Sequence, residues 1–171
     1  MQDVEADLIV LPELAFTGYH FRNRNELKTL AKEPASSSAV ETLIKSYQQK
    51  NMHLVTGFAE KSRDKLFNNA LLIGPQGVEH TYRKLHLFNK EKNLFDAGDI
   101  PLQVNIVKDI NVGMLVRFDW VFPKKIRILT IQGGRSDRSP IQPSFKLLSG
   151  GNDYAMSGEQ DIRNHNKSFW C

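Results

Sequence analysis

"NVGMLVRFDWVFP", residues 111–123, begins with Val112, Met114, Leu115 and Val116, an apolar run of the kind that fills a buried strand. Pro123 suits the first turn of a helix just beyond. Between them stands Arg117, a permanent cation that a buried strand end rarely tolerates without a partner. Strand, sharp turn and helix in succession point to an α/β fold, in which side chains at the C-terminal ends of strands build the site.

The flanking sequence extends this pattern. "LQVNIVKDINVGMLVRF" predicts two strands turning at Lys108-Asp109, and "NNALLIGPQGVEHTYRKLHLF" predicts a hairpin about Pro-Gln-Gly. "HLVTGFAE" is a further strand, and "ADLIVLPEL", residues 6–14, is a short buried strand stopped by Pro12. In "SSAVETLIKSYQQK", Ser38 precedes Glu41 by three residues as a capping box, and Val40, Leu43, Ile44 and Tyr47 follow at helical spacing. "FPKKIRILTIQGG" predicts a helix opened by Pro123 and closed at Gly133-Gly134. Strands mixed with helices and hairpins predict an α/β domain with a mixed sheet over residues 1–134. Residues 135–171 sustain no period of 2 or 3.6 and are rich in Gly, Ser, Asn and Asp, so they are expected to form a poorly structured tail.

Composition narrows the function classes. The chain has 171 residues, 40% hydrophobic and 25% charged, which suits one soluble domain. The net charge of +4 is spread among 19 acids, and no basic run carries interleaved aromatics, which argues against nucleic acid as a partner. No apolar run approaches the roughly 18 residues of a membrane span, and the N-terminus lacks a signal-peptide pattern, so no membrane association and a cytoplasmic location are expected. Cys171 is the single cysteine, which removes internal disulfides and cysteine-based metal sites. The five histidines show no ligand spacing, and no metal or other cofactor is expected.

Three places could carry chemistry. Glu13 in "LPELAFTGY" follows a strand and a proline, where side chains emerge at a strand's C-terminal end. Lys84 in "YRKLHLF" lies inside a strand-like run, with Glu91 seven residues later. Each by itself reads more simply as a solvated surface charge. The third place is Arg117.

In this order, "LIVLPELAFTGY", "YRKLHLF" with Glu91, and "VGMLV-x-FDWVFP" resemble the carbon–nitrogen hydrolase (nitrilase/amidase) superfamily over roughly residues 5–134. The resemblance implies part of an α-β-β-α sandwich, with the family's first strand and its C-terminal part missing. It also implies hydrolysis of a nonpeptide carbon–nitrogen bond in a small amide, carbamoyl compound or nitrile by a Glu-Lys-Cys site. Glu13 would be the general base, and Lys84 with the backbone N–H of Phe118 would stabilise the oxyanion. Glu91 would orient Lys84. The family's nucleophilic thiol stands immediately before "FDW", and here that residue is Arg117, which has only donors and cannot attack a carbonyl.

Other departures accompany this one. The family's "FPE" reads "FPK" here, so Lys124 and Lys125 place two cations at the unfavourable end of a helix dipole. By resemblance a homo-oligomer is expected, weakened by the loss of Glu at position 124 and by the missing C-terminal part. Arg117 is expected to pair with Glu13, the alternative being an outward-pointing Arg117. Three readings compete: a hydrolase of the family, inactive in this chain for want of its nucleophile; a pseudoenzyme that binds a small molecule or an intact paralogue; and a nonfunctional fragment.

Overall fold

The computed structural model describes residues 6–133 and 144–148. Two sheets carry the strands. The first has the order β1 (Leu8–Val10), β2 (His53–Ser62), β3 (Lys65–Gly74), β4 (Gly77–Arg83), with β1 parallel to β2 and the remaining pairs antiparallel. The second has β5 (Val104–Val107), β6 (Ile110–Val116) and β7 (Ser144–Leu148), with β6 antiparallel to β5 and parallel to β7. Among the described residues four α-helices accompany the sheets: α1 (Arg24–Leu30), α2 (Ser38–Gln48), α3 (Glu91–Leu94) and α4 (Pro123–Gly133).

Alternation along the strands builds the layers. Val55, Ala70, Leu72 and Tyr82 project from one face of the first sheet into a core with Val107, Val112, Met114 and Val116 of the second. Their neighbours Leu54, Leu71 and Ile73, with Phe58, pack on the opposite face against Val40, Leu43, Ile44 and Tyr47 of α2. This is the period-2 placement of a sheet buried on both faces. On the far side of the second sheet, Leu129 of α4 lies against Gly113, where an added Cβ would stand 3.0 Å from the leucine side chain. The resulting α-β-β-α layering is the mixed α/β sandwich expected from the sequence.

Several local features follow their residues closely. Lys108 and Asp109 both have positive φ, 47° and 64°, the backbone of the tight turn that matches the twist of a two-residue hairpin. The cap of α2 sits one residue earlier than the sequence suggested. Ser37, not Ser38, accepts the Val40 N–H at 3.5 Å, and Glu41 pairs instead with Lys45 at 2.7 Å. The strand expected over residues 6–14 is ladder-bonded only over Leu8–Val10, because Pro12 and the turn after it leave the sheet. Helix α1 was not anticipated, although Asn23 and Glu26 stand at capping-box spacing and the Asn23 side chain accepts the Glu26 N–H at 3.0 Å. Most of the segment read as a tail lies outside the described residues; within it, Ser144–Leu148 runs as β7.

Candidate active site

β1 and β4 run in the same direction, and both deliver a charged residue just beyond their C-terminal ends. Glu13 sits on the turn after β1, and Lys84 directly follows β4. The Glu13 turn lies flat on β2: the Gly57 N–H donates to the Pro12 carbonyl at 3.1 Å, and Ala15 N–H donates to the Gly57 carbonyl at 3.2 Å. A Cβ at Gly57 would overlap the Glu13 Cα and the Leu14 nitrogen, both main-chain atoms. Gly57→Ala is therefore expected to cost about 1–3 kcal/mol, the usual range for overpacking, and to displace Glu13. Urea denaturation with an unchanged midpoint would contradict that expectation.

Lys84 is fixed at its main chain as well. Its N–H donates to the Asn68 carbonyl at 2.8 Å, and its carbonyl accepts the Gly98 N–H at 2.9 Å. The ammonium reaches Glu13 Oε1 at 3.0 Å and Glu91 Oε1 at 2.8 Å. The Lys84 and Glu13 side chains are almost wholly buried, while that of Glu91, at the start of α3, is 19% exposed. An ammonium has three N–H donors, so two are engaged and one remains for another acceptor. Thus the three residues singled out in the sequence come together around one cation.

Two further residues complete the cluster, and the sequence reading missed both. Asn68 of β3 donates through Nδ2 to Glu13 Oε1 at 2.6 Å and to Glu91 Oε1 at 3.1 Å. The Tyr19 hydroxyl donates to Glu13 Oε2 at 3.0 Å. Burial first, and then the Glu13 charge, push the Tyr19 hydroxyl pKa well above its ordinary value, which keeps the phenol a donor. The signal for Asn68 was present in "NNALLIG", since an amide inside an apolar strand needs a buried partner.

Position 117 lies at the end of β6, at the corner leading into a 3-10 turn over Arg117–Val121. Arg117 has φ of 27°, a left-handed backbone that costs energy for any residue with a Cβ and recurs at functional corners. The expected ion pair with Glu13 does not form. Arg117 is exposed and makes no ion pair or hydrogen bond among the described residues. The physical reason is that Glu13 already accepts from Lys84, Asn68 and Tyr19, so a guanidinium would give up its hydration for a carboxylate already supplied with donors. Phe118 packs its ring at 4.8 Å from Phe88 and 5.4 Å from Phe122. Its N–H belongs to the first turn of the 3-10 segment, where N–H groups lack an acceptor within the helix.

Behind this corner Asp119 anchors the turn to the Lys84 loop. It is fully buried and accepts from the Tyr82 hydroxyl at 2.6 Å, the His86 N–H at 2.9 Å and the Lys125 ammonium at 2.8 Å. Burial raises the Tyr82 pKa, with the Asp119 charge adding to the effect. Burial also lowers the Lys125 pKa against the opposing pull of Asp119. The pair of cations expected at the start of α4 is thereby split. Lys124 is exposed, and Lys125 turns inward onto a carboxylate six residues back.

Comparison with known proteins places the chain in a family and agrees with the fold. The family model for carbon-nitrogen hydrolase matches residues 1–136, and the chain belongs to that family. It is 38% identical over 128 residues to a nitrilase of Pyrococcus abyssi, covering 75% of this chain and 49% of that protein. It is 32% identical over 129 residues to an (R)-stereoselective amidase of Pseudomonas sp, covering 75% of this chain and 46% of the other. The crystal structure of an amidase from Nesterenkonia sp. superposes with a TM-score of 0.64 at 22% identity, over 75% of this chain and 49% of that one, a likeness of fold. The chain spans about half the length of the curated relatives it matches. Among the described residues no group of His, Cys, Asp and Glu could hold a metal ion, and no helix is long and apolar enough to cross a membrane.

Proposed function

We propose that this chain carries the base and oxyanion half of a carbon–nitrogen hydrolase site and lacks its nucleophile, so that it does not turn over amides or nitriles. The observation that carries the reading is the buried Lys84 ammonium held by Glu13 and Glu91, with an exposed arginine at the strand corner. Glu13 would take a proton from a nucleophile at the corner. The third N–H of Lys84 and the Phe118 N–H would hold the oxyanion, and Glu91 would keep Lys84 in place. An arginine supplies no electron pair for attack, so no acyl-enzyme can form at residue 117. Amides and carbamoyl compounds are the substrate classes suggested by relatives such as an N-carbamoylputrescine amidase of Arabidopsis thaliana.

The test is direct. Incubation of the full chain with a reactive amide or nitrile is expected to leave the mass of the peptide spanning residues 112–120 unchanged and to release no ammonia. Turnover that Glu13→Ala abolishes would overturn the reading. A second reading, noncatalytic pairing with a like chain or an intact paralogue through α4, is favoured by the exposed Ile128 and Ile131 on that helix.

A further inference from the structure

Asn68 is only 1% exposed, in the middle of β3, yet its amide faces two acids. Its Nδ2 contacts Glu13 Oε1 at 2.6 Å and Glu91 Oε1 at 3.1 Å. Lys84 Nζ contacts the same two oxygens, at 3.0 and 2.8 Å. Two acceptors and two donors thus alternate around a closed ring. The Asn68 carbonyl, on the main chain, also accepts the Lys84 N–H at 2.8 Å, so one residue grips the lysine at one end and its two acids at the other.

We infer that Asn68 is the positioning residue of the site: its single amide sets the spacing of Glu13 and Glu91 on the Lys84 ammonium. The inference rests on the reading of these three residues as the surviving half of a hydrolase site. Two carboxylates sharing a buried pocket repel each other, and one ammonium leaves the group with a net negative charge. The two hydrogens of an NH2 group diverge at a fixed angle, so each carboxylate receives one without added charge. The reverse orientation would aim the amide oxygen at both acids, and the chemistry forbids it. Asn68 Oδ1 is in consequence buried without a partner among the described residues, a cost taken on to present the NH2 group. Neighbouring Asn69 makes the contrast. Its Oδ1 is likewise buried without a partner among the described residues, but its amide donates to Glu60 Oε2 at 2.8 Å and hydrogen-bonds to none of Glu13, Lys84 and Glu91.

The experiment follows the Lys84 ammonium by proton–nitrogen NMR on the full chain. An ammonium caged by fixed acceptors exchanges its protons slowly with water. Asn68→Leu removes both bonds to the acids and is expected to speed that exchange by at least about tenfold, the order of a single lost charge-assisted hydrogen bond, while backbone protection of Leu71 and Leu72 stays unchanged. Asn68→Ala is the companion variant should the leucine not fold, and it is expected to give the same acceleration. Asn69→Leu is expected to leave the Lys84 signal untouched. Unchanged exchange in a folded Asn68 variant, or equal acceleration in Asn69→Leu, would overturn the inference. Turnover by the unsubstituted chain would instead refute the missing-nucleophile reading and leave the exchange result standing.

Discussion

Lys84→Met is expected to cost about 3–5 kcal/mol of stability, the range for removing one partner of a buried ion pair. The ammonium is the cation shared by Glu13 and Glu91, and its side chain is 1% exposed. Without it two carboxylates face each other with the Asn68 amide as their common donor. Adding Glu13→Gln to Lys84→Met is expected to recover more than about 1 kcal/mol, since neighbouring charges couple non-additively. Urea unfolding of the two single variants and the double variant gives the comparison. Additive losses would mean that Lys84 and Glu13 do not share a buried interaction.

Asp119→Ala is expected to be as damaging. The substitution strands the Lys125 ammonium and the Tyr82 hydroxyl in the interior and frees the Arg117–Val121 turn from the loop that follows β4. A loss of about 3–5 kcal/mol corresponds to a thermal midpoint lower by roughly 6–20 °C in a chain of this size. Asp119→Ala combined with Lys125→Met is expected to regain part of that loss, because the second change removes the unpaired charge. A midpoint within about 2 °C of the unsubstituted chain would show that Asp119 anchors nothing.

Much of the fold was legible because the strands alternate or are apolar and their turns announce themselves. Lys108-Asp109 and Pro-Gln-Gly each mark a hairpin that the structure contains. The reach of Glu13, Lys84 and Glu91 toward one another was legible only through resemblance, since each taken alone reads as a surface charge. The residues that were missed, or like Lys125 given the wrong surroundings, share a physical trait. Asn68, Tyr19, Asp119 and Lys125 act through contacts 6 to 55 residues away in sequence, and no local period records such pairings. Arg117 was misjudged for a different reason. Pairing it with Glu13 assumed a carboxylate in want of a donor, whereas Asn68 and Tyr19 had already supplied that want with neutral groups.

The exposure of Arg117 separates two kinds of memory in this chain. No ion pair or hydrogen bond among the described residues depends on the arginine, so the folded state has little stake in which side chain stands there. Lys84, Glu13 and Asp119 are different, for each is tied into the interior and its removal threatens the whole domain. Drift under selection for a folded product alone would therefore change the exposed corner first and the buried charges last. Such a charge cluster is self-preserving, because discarding any one member is costlier than keeping all of them. In a chain of this family, an intact Glu-Lys-Glu arrangement testifies to ancestry and to foldedness.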